Sequence, residues 1–202
     1  MCGRYDLSDN PAAIRARFSV PAVPGYAPNA DLRPTQMAPI VRLDRAGERE
    51  CALARWGLVP SWAKDMKFGA RCINARRETI ASTPAFRSAY RQRRCLVPVN
   101  AFYEWSGAVG HKTKWRITVD EEPLFALAGL WEWWRDPAQP EGPGIETYTI
   151  ITTAANAQVA PVHDRMPVIV PAALHGTWLD PQADSAAVLQ SPAPDLRLTS
   201  SA

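Results

Sequence analysis

The chain has 202 residues, of which 47% are apolar and 21% charged, and its formal net charge is +3. That length fits one domain with a substantial core, and the composition excludes a disordered or fibrous chain. No apolar run is long enough to span a membrane, and the opening MCGRYDLSDN has neither a basic leader nor an apolar stretch. Membrane insertion and secretion are therefore not expected, and a cytoplasmic location is.

Cys2 follows the initiator directly. A small residue there ordinarily lets the cell remove Met1, which would give Cys2 a free α-amine beside its thiol. Such a 1,2-aminothiol has a chemistry that no internal cysteine has. Its amine condenses with an aldehyde to an imine, and its sulfur then closes on the imine carbon to give a thiazolidine ring. Both groups titrate near the working range, the amine at about 8 and the thiol at about 8.5. The alternative is a small residue near a loose terminus.

Asn10-Pro11 followed by AAIRARF reads as an N-capped helix with proline in its first turn. Residues 21–35 hold four prolines and a glycine and read as a loop. Strands are expected over 38–43, 51–56, 95–99, 114–119, 123–131, 147–152 and 167–170, where β-branched or alternating residues are bounded by turn formers. A helix is expected around PAFRSAYRQ, within 76–92. Residues 135–145 read as an exposed loop, Asn156 as the cap of a short helix, and 172–179 as another short helix. Beyond about 182 the Ala/Ser/Pro-rich chain reads as a loosely attached tail. Many short strands, scattered helices and no βαβ alternation predict an α+β fold. It would be one mixed domain over 1–202 with a barrel-like β-sheet core and short peripheral helices.

The four cysteines (Cys2, Cys51, Cys72, Cys95) form no CxxC pair, and His111, His163 and His175 lie far apart. No metal site and no cofactor are expected, and the three internal cysteines read as packing residues. From Arg71 to Arg94 there are seven arginines against the single acid Glu78. A segment this basic is either a phosphate-binding face or a solvated helical face. Eight tryptophans are many for this length. Some belong to the core, but tryptophan beside arginine also suits a surface that stacks on bases.

Four islands stand out: Cys2-Gly3-Arg4; WGLVPSW at 56–62 leading to INARRET at 73–79; RCLVP at 94–98 followed by FYEW at 102–105; and HDRMP at 163–167. In order and spacing they resemble the SRAP family, the SOS-response-associated peptidase or abasic-site-processing proteins, from Cys2 to about residue 180. A monomer is expected, and the resemblance implies a protein that binds single-stranded DNA containing abasic sites. It also implies that the N-terminal cysteine traps the ring-opened deoxyribose aldehyde as a thiazolidine crosslink, assisted by Asn74, Glu104 and His163.

The residue chemistry suits those roles. Asn74 can orient an amine or a sugar hydroxyl without titrating. Glu104, among Phe102, Tyr103 and Trp105, should have a carboxyl raised toward neutrality and fit for proton transfer. His163 is the only histidine beside an Asp-Arg pair and a natural proton donor or acceptor near neutrality. Arg4, Arg76 and Arg165 read as phosphate ligands and Trp62 as a stacking wedge. Salt bridges for the arginines and core packing for Trp62 are the alternatives. The chain departs from the family pattern at two places. Trp62 is followed by Ala63-Lys64-Asp65 rather than a second tryptophan, and the proline-rich loop carries Asp31, with Asn29 nearby, where an asparagine is common. Imine chemistry also allows β-elimination and strand scission. A peptidase or amidohydrolase using Cys2 as an N-terminal nucleophile and a non-enzymatic single-strand-binding module are the competing readings.

Overall fold

The computed structural model describes residues 2–108 and 110–201. The chain opens with β1 (Tyr5–Leu7) and helix α1 (Pro11–Phe18). Asn10 caps that helix as expected, its Oδ1 accepting the Ala13 amide at 3.0 Å, and the helix buries Ile14 and Phe18. Then follow β2 (Asn29–Leu32), β3 (Met37–Leu43), β4 (Arg49–Trp56), β5 (Asn74–Arg76), helix α2 (Arg87–Gln92), β6 (Arg94–Val99), β7 (Ala101–Ser106) and β8 (Thr113–Val119). The rest comprises β9 (Phe125–Trp134), β10 (Ile145–Ala154), β11 (Arg165–Pro167), β12 (Ile169–Val170), α3 (His175–Leu179), α4 (Ser185–Gln190) and β13 (Leu196–Ser201).

Five strands close on themselves. β3 pairs β4 and β6, β6 pairs β9, β9 pairs β10, and β10 pairs β4, so the ring is complete. Closure removes exposed edges and encloses side chains from every strand. A second sheet, in the order β13-β8-β7-β1-β2, lies beside the barrel. One hydrophobic cluster joins the two and includes Tyr5, Phe18, Trp56, Phe102, Phe125, Tyr148 and Trp178. The fold is the α+β, barrel-centred arrangement that the strand pattern predicts.

Four local expectations are corrected. Residues 21–35 are not all loop, because Asn29–Leu32 pairs with β1. The segment around PAFRSAYRQ is helical only over Arg87–Gln92. Asn156 caps a series of turns, with Oδ1 accepting the Val159 amide at 3.0 Å, rather than a helix. The chain beyond 182 is not loosely attached. It carries α4, capped by Asp184, and β13, which pairs along β8 from Leu196↔Val119 to Ser201↔Lys114. A composition poor in large apolar residues hid this strand, whose binding comes from backbone pairing and from Leu196.

The loop between β4 and β5 sets the site's geometry. β4 ends at Trp56, and Gly57 then turns with φ of +117°. A Cβ on Gly57 would lie 2.8 Å from the Gly69 carbonyl oxygen, and one on Gly69 would lie 2.4 Å from that of Gly57. Only two glycines let these backbones cross. The chain returns as β5 alongside the same strand that β4 left, β10, with Asn74 opposite Ile150.

Candidate active site around Cys2

Cys2 is fully buried at the entry to β1. Asn74, the first residue of β5, donates from Nδ2 to the Cys2 carbonyl oxygen at 2.9 Å. The carbonyl can only accept, which fixes the amide orientation and turns Oδ1 the other way. That Oδ1 is buried and has no hydrogen-bond partner among the described residues. It is an acceptor in search of a proton donor, such as an amine or a hydroxyl.

Glu104 sits in the middle of β7, opposite Trp115. It is 2% exposed, less than the next most buried acids, Asp6 at 4% and Glu132 at 7%. Burial pushes its carboxyl above the ordinary range, and His163 pulls the other way. Burial also pushes the Cys2 thiol up, and the Glu104 charge adds to the shift. Glu104 is thus within electrostatic reach of both Cys2 and His163. Beneath them the Tyr5 and Tyr148 hydroxyls share a 2.6 Å hydrogen bond.

His163 lies in the turn that leads into β11. Its Nδ1 is 2.9 Å from the Arg165 amide nitrogen and 2.9 Å from Asp164 Oδ1. The two contacts demand opposite states, since the amide needs a lone pair and the carboxylate a proton. The amide is permanent and held at the start of β11, whereas the Asp164 side chain is 85% exposed and screened by solvent. The amide contact is therefore the one that the fold holds in place.

The structure brings the expected catalytic residues Cys2, Asn74, Glu104 and His163 into one neighbourhood. The expected DNA ligands are differently placed. Arg76 is exposed, two residues along β5 from Asn74, with no side-chain partner among the described residues. Arg165 is engaged: Nη1 and Nη2 fork onto Glu78 at 2.8 and 2.9 Å, and Nη2 also reaches the Thr152 carbonyl at 2.7 Å. Arg4 stacks on Trp105 at 5.3 Å and lies 3.4 Å from Asp31. Trp62 is 56% exposed, its ring edge-on to Phe68.

The basic segment is not one face. Arg94 is buried and donates to the carbonyls of Trp178 and Asp180, Arg93 pairs with Glu132, and Arg77 holds the Leu189 carbonyl. Arg71, Arg76, Arg87 and Arg91 remain exposed. All four cysteines are buried and free. No group of three or more His, Cys, Asp or Glu among the described residues could hold a metal ion, and no described helix is long and apolar enough to cross a membrane. Sequence reasoning missed Arg33 and Lys114 beside Arg4. Their signal is visible only once β2 and β8 are known to flank β1 and β7.

The family model described as SOS response associated peptidase (SRAP) matches residues 1–201. The chain belongs to the SRAP family. Among SRAP relatives, it is 40% identical over 196 residues to the Bacillus subtilis abasic site processing protein YoqW, covering 95% of this chain and 85% of that one. It is 31% identical over 211 residues to the Gallus gallus abasic site processing protein HMCES, covering 84% of this chain and 62% of that one. Among solved structures, a Bordetella bronchiseptica protein superposes with a TM-score of 0.84 at 28% identity over the whole of both chains. A Bacteroides thetaiotaomicron protein superposes with a TM-score of 0.88 at 24% identity, covering 98% of this chain and 91% of that one, which is a likeness of fold.

Proposed function

We propose that this SRAP chain processes abasic sites in single-stranded DNA by covalent capture at Cys2. The observation that carries the reading is the seating of Cys2. Its carbonyl is held by Asn74, and a buried Glu104 carboxyl lies within electrostatic reach of its thiol.

Removal of Met1 frees the Cys2 amine. The amine adds to the aldehyde carbon of the ring-opened sugar, and the carbinolamine loses water to give an imine. Glu104, whose carboxyl burial raises toward the protonated form, supplies the proton that lets hydroxide leave as water. The resulting carboxylate then accepts the thiol proton as sulfur adds to the carbon of the protonated imine, whose nitrogen keeps the proton it brought from the amine. One C–N and one C–S bond form, and one water leaves. A thiol raised by burial needs such a base at the moment of attack. Asn74 Oδ1 is positioned to accept from the Cys2 amine or a sugar hydroxyl. His163 serves a proton transfer at the sugar. The imine also acidifies the neighbouring carbon, which opens β-elimination with strand scission as a side reaction. A peptidase nucleophile calls for a lowered thiol pKa, and burial acts in the opposite direction here.

The test is the state of the N-terminus. Protein released with Cys2 as its first residue should form a stable adduct with an oligonucleotide carrying one abasic site. Protein with a retained N-terminal extension should form none. Equal adduct from both would remove the α-amine from the mechanism.

A further inference from the structure

Strand alternation sends Glu104 to one face of the five-stranded sheet and its neighbours Tyr103 and Trp105 to the other. On that second face the Lys114 ammonium lies 3.8 Å from the Tyr103 ring centroid, and the Arg4 guanidinium lies over Trp105. Across β1 and β2 stands Asp31. Arg33 Nε donates to its carboxylate at 3.0 Å, and Arg4 approaches at 3.4 Å. Lys114 also acts on Asp31: with the Arg33 hydrogen bond leading and Arg4 contributing, it holds that carboxyl below the ordinary range. Three cations therefore converge on one anion, leaving an excess of positive charge. The aromatic rings hold the charged heads of two of them in place and so reduce the entropy lost when those heads take a ligand. Arg4 is two residues from Cys2, so the cluster begins at the edge of the site.

We propose that Arg4, Arg33 and Lys114 form a phosphate-binding tripod for the DNA strand flanking the nucleotide at Cys2, with Asp31 as the counter-ion that limits its strength. The ligand class is the phosphodiester of a single strand. On binding, a phosphate oxygen replaces the Asp31 carboxylate as acceptor for the guanidinium forks. This rests on the reading of Cys2 as the capture site, but it is tested without capture.

The experiment measures affinity for an undamaged single-stranded oligonucleotide across a salt series. Asp31→Asn should bind about threefold tighter at low salt, since removing one exposed counter-charge has the weight of a surface ion pair. Lys114→Gln should bind more weakly, and its log–log salt slope should fall by about 0.7. Inorganic phosphate, at the ionic strength of a chloride control, should compete no better than chloride if the tripod takes a strand rather than a free ion. Unchanged or weaker binding by Asp31→Asn, in a variant with wild-type melting, overturns the tripod. So does an unchanged slope for Lys114→Gln. Adduct formation by the wild-type protein on an abasic oligonucleotide is followed in parallel. Its absence with the affinity shifts intact would overturn the capture reading and leave the tripod standing.

Discussion

Asn74 and Cys2 are joined by a 2.9 Å hydrogen bond across 72 residues of sequence, from the side chain that opens β5 to the carbonyl of the second residue. A terminus would otherwise fray. Here it is tied to a strand that is itself paired to the barrel through Ile150 and Ile151. Asn74→Ala removes that tie, a loss of about 1 kcal/mol in hydrogen bonding. We expect slower adduct formation with undamaged-strand affinity retained. Asn74→Asp should be worse than alanine, because a carboxylate would face the Cys2 carbonyl. Time courses of adduct formation at saturating DNA measure both.

Glu104 predicts a trade of stability for function. Burial raises its folded carboxyl pKa, so the folded state holds a proton that the unfolded state has lost. That contribution is fully present below the ordinary glutamate value and is lost as pH rises through the raised one. Glu104→Gln keeps the shape without the charge. It should melt several degrees above wild type at neutral pH, with the gap closing in acid. It should also slow adduct formation far more than it weakens binding. A variant that is less stable at neutral pH would show that the ionised form is favoured in the fold.

His175 works with the opposite sign. It is 3% exposed, stacked on Phe18, and burial lowers its pKa to about 4. The neutral ring stabilises the fold above the ordinary histidine value, and that stability is lost as pH falls toward 4. The full loss is roughly 3 kcal/mol. His175→Phe should flatten the acid limb of a melting-temperature profile between those limits. An unchanged limb would place the acid sensitivity elsewhere.

Arg76 and Arg165 should separate in their effects. Arg76 is exposed beside the site, and Arg76→Ala should lower the salt slope of single-strand binding by about 0.7. Arg165 is committed to Glu78 and the Thr152 carbonyl. Arg165→Ala should lower the melting temperature, because both partners lose their donors, and should change the slope less. A larger slope change for Arg165→Ala would mean that DNA displaces Glu78.

The barrel strands were legible because β3, β4, β6, β9 and β10 carry long apolar or alternating patterns that period-two reading detects. β1 and β5 span three residues each and carry no period. They exist because neighbours with free backbone groups pair them. β13 was hidden by its composition and β2 by the surrounding prolines. At the site, the chemistry of Cys2, Asn74, Glu104 and His163 could be read from residue type and motif. The commitment of Arg165 to Glu78, 87 residues away, and the meeting of Asp31 with Arg4 depend on strand order, which no local pattern encodes.

The central claim is that the Cys2 amine and thiol together capture an aldehyde. Intact mass of the protein mixed with an oligonucleotide carrying one abasic site tests it most directly. The account predicts a species weighing protein without Met1, plus oligonucleotide, minus one water, formed without reductant. Cys2→Ala should give that linkage only after borohydride, because it keeps the amine and loses the sulfur. A borohydride-independent adduct from Cys2→Ala as stable as wild type, or an adduct on protein still carrying Met1, would contradict it.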